Sequence, residues 1–392
     1  MKPVSTAPAR VLLVGNFACD RQESMLRFGA LLNEGLLTAG HTVQLAVPGP
    51  IFAKLARPYR YNGVPKLLGY LDKFVVFPAR LRALAQNFRP DIVHVVDHAN
   101  CATVTRLPFP TLCTCHDLLQ IRVAAGEFPD RSLGRSGRAF QRWILSNIRR
   151  VGHAACVSIQ TRDDLLRFTK WQDTRTTVIP NGLNYPYRRR TPAEAALALA
   201  PLVARGALPA SVLAGPGFIL NVGGGQWYKN RPGLLGLYAR LRTLVPDAAD
   251  LVIVGKPLDE ADRSLCDSLG IAARIHVYSE ASNTELEALY SLASALVFPS
   301  FAEGFGWPVA EAHACGCPVY TSDRAPLTEV GGDAACYFDP AAPELAAACI
   351  AASWPDRASL AEAGLARAAL WSPSLMLGRY IGLYRQLAVP QN

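Results

Sequence analysis

Short apolar runs recur along this chain with room for one helix between each and the next, and that alternation most restricts what it can fold into. In the first half the runs predict strands near Arg10–Gly15, Thr42–Val47, Asp91–Val95, Pro110–Cys115, His153–Val157 and Thr177–Ile179. In the second half they predict strands near Phe218–Gly223, Asp250–Gly255, Arg274–Val277, Ala295–Phe298, Pro318–Thr321 and Cys336–Phe338. Strands joined through helices make parallel sheets covered on both faces. Six strands in each half suit two Rossmann-like α/β domains, and 392 residues are comfortable for two. The segment Tyr185–Pro192 mixes proline with a basic run and reads as linker. The expected division is 1–186, 187–372 and a last helical segment, 373–392.

One stretch carries more chemistry than any other. The predicted strand Ala295–Phe298 runs into a loop, Pro299 to Trp307, and a helix is expected to start at Pro308, where a missing N–H costs nothing. Gly316 stands where a left-handed cap is cheap. Glu303 therefore sits on a loop at the carboxyl end of a strand, with Glu311 on the helix behind it. Ligands of open α/β sheets bind at that end. Two carboxylates there can take neighbouring hydroxyls of a sugar or ribose, and loop amides with a helix N-terminus can hold phosphate. A second stretch, Ile219 to Leu235, reads strand, Gly223-Gly224-Gly225, then helix from about Arg231. Glycines allow a tight turn and close backbone approach, and Lys229 just before the helix supplies a mobile cation.

The first half offers polar residues at strand ends. His116 follows the run Leu112 to Cys115 and could hydrogen-bond a sugar hydroxyl or orient a second substrate; His98 stands in a similar place. After the first strand come Asn16, Asp20, Arg21, Gln22 and Glu23. They read equally as a sugar-recognising loop or as a helix start with Asp20 as cap and Glu23 three residues on.

The stretch FPSFAEGFGWPVAEAHACGCPV, with Glu303 and Glu311 eight apart, resembles the signature of retaining GT-B glycosyltransferases of glycosyltransferase family 4. Phe218 to about Asp339 resembles that family's donor-binding domain, and TCHD (Thr114–Asp117), CVSIQTRDDL (Cys156–Leu165) and VIPNG (Val178–Gly182) extend the likeness more weakly into the first half. The resemblance implies two Rossmann-like domains facing across a cleft, an acceptor-binding domain followed by a nucleotide-sugar domain, and a last helix that packs back on the first. It implies Glu303, His116 and Lys229 as catalytic residues. It implies a donor site of Glu311, Arg231, Gly224, Gly225, Trp307, the amides of Phe305 and Gly306, and base contacts near Tyr278 and Ser279. Acceptor contacts fall to Asn16, Asp20, Arg21, Gln22 and His98.

Two positions depart from the pattern. The family's diphosphate arginine stands five residues or one residue before the lysine, where this chain has Gly224 and Tyr228, so Arg231 is the substitute on offer. Trp307 stands where a smaller aliphatic residue is commoner. No D-x-D stands at a strand end, so neither metal nor other cofactor is expected. The implied reaction moves a sugar, with retention, from a nucleotide-sugar to a saccharide or lipid-linked acceptor in polysaccharide or glycolipid synthesis. The alternatives are a non-catalytic nucleotide-sugar-binding subunit, which the missing arginine favours, and a sugar-nucleotide epimerase of the same fold.

Charge is unevenly spread. Residues 1–190 hold 27 Lys+Arg against 12 Asp+Glu, a net of +15, while residues 191–392 hold 13 against 19, a net of −6. From Lys54 to Arg89, eight basic residues face the single Asp72, with Tyr59, Tyr61, Tyr70, Phe74 and Phe77 interleaved; a second cluster, Arg131 to Arg150, surrounds Phe140 and Trp143. Basic residues mixed with aromatics suit an anionic bilayer. Nothing resembles a nucleic-acid-reading element. The ten cysteines lie in no C-x-x-C pattern, and Met1–Ser5 opens no apolar leader. The expected setting is the cytoplasm, with peripheral attachment to the inner face of the cell membrane.

Overall fold

The computed structural model describes residues 9–56, 63–206, 208–214, 217–245 and 249–388. Arg57, Tyr59, Arg60 and Tyr61 of the basic aromatic stretch, and Met1–Ser5, lie outside them. The chain divides into two compact units, Met1–Asn184 with Pro373–Asn392, and Tyr185–Ser372.

Each unit is built on a six-stranded parallel sheet. The first holds β1 (Arg10–Val14), β2 (Thr42–Ala46), β3 (Ile92–Val95), β4 (Thr111–Cys115), β5 (His153–Cys156) and β6 (Thr176–Val178), in the order β2-β1-β3-β4-β5-β6. The second holds β7 (Phe218–Val222), β8 (Asp250–Val254), β9 (Ile275–Tyr278), β10 (Ala295–Phe298), β11 (Val319–Ser322) and β12 (Cys336–Phe338), in the order β12-β11-β10-β7-β8-β9. Central strands such as β3, β5, β10 and β11 are buried along their whole length, as expected where helices cover both faces. The four edge strands, β2, β6, β9 and β12, are only partly buried. All twelve strands fall where the apolar runs predict them, and the architecture is GT-B.

The carboxy-terminal helix Pro373–Ala388 belongs to the first unit and is fastened there by a buried polar network. His94 on β3 bonds the Tyr384 hydroxyl through Nδ1 at 2.7 Å and Thr114 Oγ1 through Nε2 at 2.8 Å. Thr114 Oγ1 also meets the Tyr380 hydroxyl at 2.9 Å. Burial pushes His94 down to about 3, so its ring is neutral and offers one donor and one acceptor nitrogen. Every buried polar atom named here has a partner, which is the condition for such a network to stabilise rather than cost.

All ten cysteines are free. Among the described residues no helix is long and apolar enough to cross a membrane.

Candidate active site at a sheet switch point

In the second unit the winding reverses between β7 and β10: the chain proceeds from β7 to β8 on one side and from β10 to β11 on the other. A crevice forms at the carboxyl ends of such a strand pair. Here paired residues stop at Leu220 and Leu296, although both strands run on. The Asn221 side chain continues the link by donating to the Val297 carbonyl at 2.8 Å. The two loops that leave this point carry Lys229 and Glu303, which meet at 2.7 Å between Nζ and Oε1, their side chains 17% and 9% exposed. The loops are also joined through backbone, Phe301 N–H donating to the Tyr228 carbonyl at 2.7 Å.

Local structure fixes both partners. Lys229 ends a 3-10 turn, Trp227–Lys229, and Asn230 follows in the left-handed region at φ 54°. Asn230 Oδ1 caps the helix Arg231–Leu244 at Gly233 N–H, and its Nδ2 donates to the Pro340 carbonyl at 2.8 Å. The Lys229 ammonium lies 5.0 Å from the ring centre of Phe298, the last residue of β10. On the other loop Gly306, at φ 101°, opens the helix Trp307–Ala314, one residue earlier than the proline predicted. A side chain at Gly306 would be strained at that φ and would stand 2.5 Å from Leu327 Cδ2. Phe305 is buried edge-on against Trp371 at 5.4 Å, with Trp307 edge-on at 6.4 Å. Among the described residues the amides of Phe305 and Gly306 donate to no backbone carbonyl.

Glu311 lies buried on that helix, its Oε2 accepting from the Tyr290 hydroxyl at 2.9 Å. Burial, and then the neighbouring Glu311, push the Tyr290 phenol well above its usual range, so the hydroxyl stays a donor. The two signature glutamates thus keep different company, Glu303 a cation and Glu311 a neutral hydroxyl. Sequence reading did not find Tyr290.

The glycine turn after β7 packs against the turn after β8. A Cβ on Gly255 would fall within bonding distance of the Gly223 carbonyl oxygen, so the two backbones touch only because glycine stands there. Arg231, expected as the substitute for the family's diphosphate arginine, is a buried brace. Its Nη1 donates to the Pro257 carbonyl at 3.2 Å and lies 3.4 Å from Asp262. Its Nη2 is buried without a partner, 3.7 Å from the position of a Gly255 Cβ. The residue next to that turn is Lys256, an exposed cation that sequence reading missed; its chain would lie 3.5 Å from a Cβ on Gly225. A lysine directly after a strand-ending V-G was the available signal. A Cβ on Gly224 would meet the Gln226 side chain first. Tyr278 ends the outermost strand, β9, where its carbonyl accepts from Gly255 N–H at 2.7 Å; Ser279 beside it is exposed.

The first unit reverses its winding between β1 and β3. Asn16 and Asp97 follow those strands and bond at 2.7 Å. Asn16 Nδ2 also donates to Gln22 Oε1 at 2.7 Å, and Asn100 Nδ2 donates to Asn16 Oδ1 at 3.2 Å. Asp97 went unnoticed in the sequence beside His98, whose Nδ1 lies 3.4 Å from it. Burial pushes Asp97 upward, but the two histidines, the Ala99 amide and Asn16 outweigh it, and the carboxyl lies below its usual range. His116 directly follows β4 and is buried; its Nε2–H donates to the Val96 carbonyl at 2.8 Å. Burial lowers its pKa against the pull of Asp97, leaving a neutral ring with Nδ1 as acceptor. Asp20 is no helix cap, since Gln22 precedes the helix Glu23–Thr38. Its carboxylate is instead tied to Lys73 at 2.6 Å. Arg21 is exposed, in the left-handed region at φ 52°.

Two switch-point sheets, with a lysine–glutamate pair at one of them, define a GT-B protein. Two family profiles match: one described as glycosyl transferases group 1 over residues 210–362, the other as Glycosyltransferase Family 4 over residues 30–185. The chain belongs to glycosyltransferase family 4. It is 26% identical over 267 residues to the serotype-specific mannosyltransferase WbdA of Escherichia coli, a match covering 65% of this chain and 31% of WbdA. It is 31% identical over 186 residues to the O-antigen chain mannosyltransferase B of Escherichia coli, covering 47% of this chain and 46% of that protein. The matches thus span about a third to a half of the length of these relatives. Sucrose-phosphate synthase from Thermosynechococcus elongatus shares the fold at a TM-score of 0.71 and 22% identity, covering 97% of this chain and 99% of that one. WaaG, a glycosyltransferase involved in lipopolysaccharide biosynthesis, does so at 0.66 and 16%, covering 96% and 99%.

Proposed function

We propose that this chain is a retaining, metal-independent glycosyltransferase that moves a sugar from a nucleotide-sugar to a saccharide or lipid-linked acceptor in cell-surface polysaccharide synthesis. The observation that carries the reading is the Lys229–Glu303 pair at the β7/β10 switch point. An arriving diphosphate competes for Lys229, and Glu303 is then released to the hydroxyls of the donor sugar. Lys229 and Lys256 neutralise the departing diphosphate, the usual electrostatic task at a developing anion. Arg231 holds the turn that presents Lys256 and stands in for the missing family arginine by position rather than by contact. Glu311, with Tyr290 behind it, takes the ribose hydroxyls; Tyr278 and Ser279 border the base. The amides of Phe305 and Gly306 face the sugar and phosphate, and Trp307 shapes the sugar pocket.

The reaction on this reading breaks the bond from C1 to the phosphate oxygen and forms one from C1 to the acceptor oxygen on the same face. The acceptor proton passes to the departing phosphate. His116, with Nδ1 free of its proton, orients a donor or acceptor hydroxyl, and the Asn16, Gln22 and Asp97 cluster with His98, Asp20 and Arg21 borders the acceptor. The curated relatives named above are mannosyltransferases, which makes nucleotide-mannose the first donor to test.

The deciding experiment incubates the protein with a panel of sugar nucleotides, with and without an oligosaccharide acceptor, and measures nucleoside diphosphate release. Release that requires acceptor, with retained anomeric configuration in the product and no effect of chelators, is the expected result. The empty arginine positions at Gly224 and Tyr228 favour one rival, a binding subunit; tight donor binding without turnover would establish it.

A further inference from the structure

The helix Gly63–Leu71 runs through a π turn, Asp72–Val76, into the helix Phe77–Phe88. Val64, Leu67, Leu71 and Val75 recur along it at helical spacing, yet Val64, Leu67 and Val75 are 66%, 62% and 63% exposed. Apolar side chains at that spacing ordinarily face a core. Beside the stripe, the helix Arg135–Ile148 contributes Phe140, stacked on Tyr70 at 5.2 Å, and Trp143, edge-on to Phe74 at 4.9 Å. These rings and Leu67, Leu71 and Val75 line a shallow cavity of about 430 Å³. A second cavity of about 490 Å³ adjoins it, sharing Phe74, Val75 and Trp143, and its other side carries Arg82, Arg106 and Arg150. None of these three arginines stands in an ion pair among the described residues.

The stripe is held outward rather than left loose. The Asp72 carboxylate, buried in the π turn, accepts from the backbone N–H groups of Ile51, Phe52 and Ala53 at 2.9–3.1 Å. Lys73 is buried against Asp20 at 2.6 Å. The two charged residues in the middle of the segment are therefore spent on fixing it, and the apolar ones are what it presents. A contiguous apolar patch beside unpaired arginines fits an amphiphile, with acyl chains against the rings and phosphate at the guanidiniums.

We propose that this face of the first unit docks on an anionic phospholipid bilayer, inserting the Leu67–Val75 stripe and Trp143 while Arg82, Arg106 and Arg150 take lipid phosphates. The net charge of +15 on residues 1–190 supplies the long-range attraction. Because Lys73 ties this helix to Asp20, the loop after β1 is carried next to the bilayer, where a lipid-linked acceptor resides. The proposal does not depend on the donor site and survives its failure.

The test is co-sedimentation of the full chain with vesicles of phosphatidylcholine alone or mixed with phosphatidylglycerol. Two variants accompany it: Leu67→Ser with Val75→Ser, and Arg82→Gln with Arg106→Gln and Arg150→Gln. Wild type is expected to partition at least about tenfold better onto anionic vesicles at low salt, and less well at high salt. The serine pair should lose roughly tenfold of that partition. The glutamine triple should prefer anionic vesicles severalfold less than wild type, the remaining charge of residues 1–190 sustaining the rest, and an unchanged preference would overturn the assignment of these arginines. Circular dichroism matching wild type shows that the variants fold, as substitution at exposed positions leads one to expect. Failure of wild type to pellet, or undiminished binding by the serine pair, overturns the proposal. Displacement by millimolar inorganic phosphate would likewise overturn it, by showing an isolated phosphate pocket.

Discussion

The two sheets reverse their winding at equivalent places but finish the reversal differently. In the first unit the β1–β3 ladder pairs every residue from Val11 to Val14, continues through Val96 N–H to the Val14 carbonyl, and is then sewn by Asn16 to Asp97. In the second the β7–β10 ladder pairs two residues, the Asn221 side chain carries the link on to the Val297 carbonyl, and the loops beyond meet through the Phe301–Tyr228 backbone bond and the Lys229–Glu303 ion pair. The first end is a closed network of neutral amides around one carboxylate. The second is an open pair of opposite charges beside a glycine turn. An ion pair can be exchanged for another anion; a satisfied amide network resists exchange, because each broken bond leaves a buried polar atom bare. On the proposed function the second end exchanges its ion pair for the donor's phosphates, and the first presents fixed dipoles.

The largest expected effect breaks the second end. Glu303→Ala should lower acceptor-dependent nucleoside diphosphate release by at least roughly a hundred- to a thousandfold with the fold intact, the range for removing one group preorganised around the reacting centre. Full activity in this variant would remove the catalytic reading. Glu303→Gln separates charge from shape: it should keep donor binding within a few-fold while turnover stays low.

Next come the cations. Lys229→Met should cost roughly a hundredfold in turnover, and Lys256→Met about tenfold, the worth of one exposed charge-assisted bond. Combining Lys229→Met with Glu303→Ala should cost much less than the product of the two, since the residues touch and act together. Multiplying effects would mean the pair acts as two separate groups. Arg231→Met is expected to lower the unfolding temperature, because it strands Asp262 and the Pro257 carbonyl. If Arg231→Met keeps wild-type stability and loses donor affinity, the arginine is a phosphate contact after all.

A gentler change probes the first end. Asp97→Asn removes the acceptor for Asn16 and sets two amides facing one another, which should cost about 1–3 kcal/mol of stability in denaturant titration. It should raise the KM for acceptor severalfold without changing donor affinity. A rise in donor KM alone would show that the two ends do not divide the substrates as proposed.

What the sequence discloses and what it hides follow the same line. The strands are legible because central strands of a parallel sheet are nearly continuous apolar runs, as in Val11–Val14 and Leu251–Val254. Glu303 and Lys229 are each legible from glycine and proline placed around them. Their meeting is not, since it depends on β7 lying beside β10, an order set by packing across seventy residues rather than by neighbours in the chain. Lys73 and Asp72 look like members of a solvated basic face, and only the fold shows them buried in opposite directions, one toward Asp20 and one toward the turn at Ile51–Ala53. Asp97 and Tyr290 escaped for a related reason: a group that serves another side chain carries no local motif.

The smallest expected effect again contrasts the units, through pH. Four histidines of the first unit, His41, His94, His116 and His153, have their pKa values lowered, chiefly by burial; in the second only His313 among the described residues does. His94 is held at about 3, and His153 and His313 at about 4, against an ordinary 6.5. A folded pKa below the unfolded one means that under pH 6.5 the unfolded chain binds protons the folded chain refuses. Stability is therefore complete above 6.5 and falls as pH drops from there toward 4 and 3. His94, wholly buried, accounts for on the order of 2 kcal/mol between pH 6.5 and 5; His153, partly screened by solvent, accounts for less. Hydrogen-exchange protection factors at pH 7.5 and 5 should therefore drop more in β3 and β4 than in β10 and β11. His94→Gln, though less stable at neutral pH, should flatten that dependence in the first unit and leave the second untouched. Equal losses in both units would show that the buried histidines do not set the acid limit, and that the contrast between the two sheets ends at their switch points.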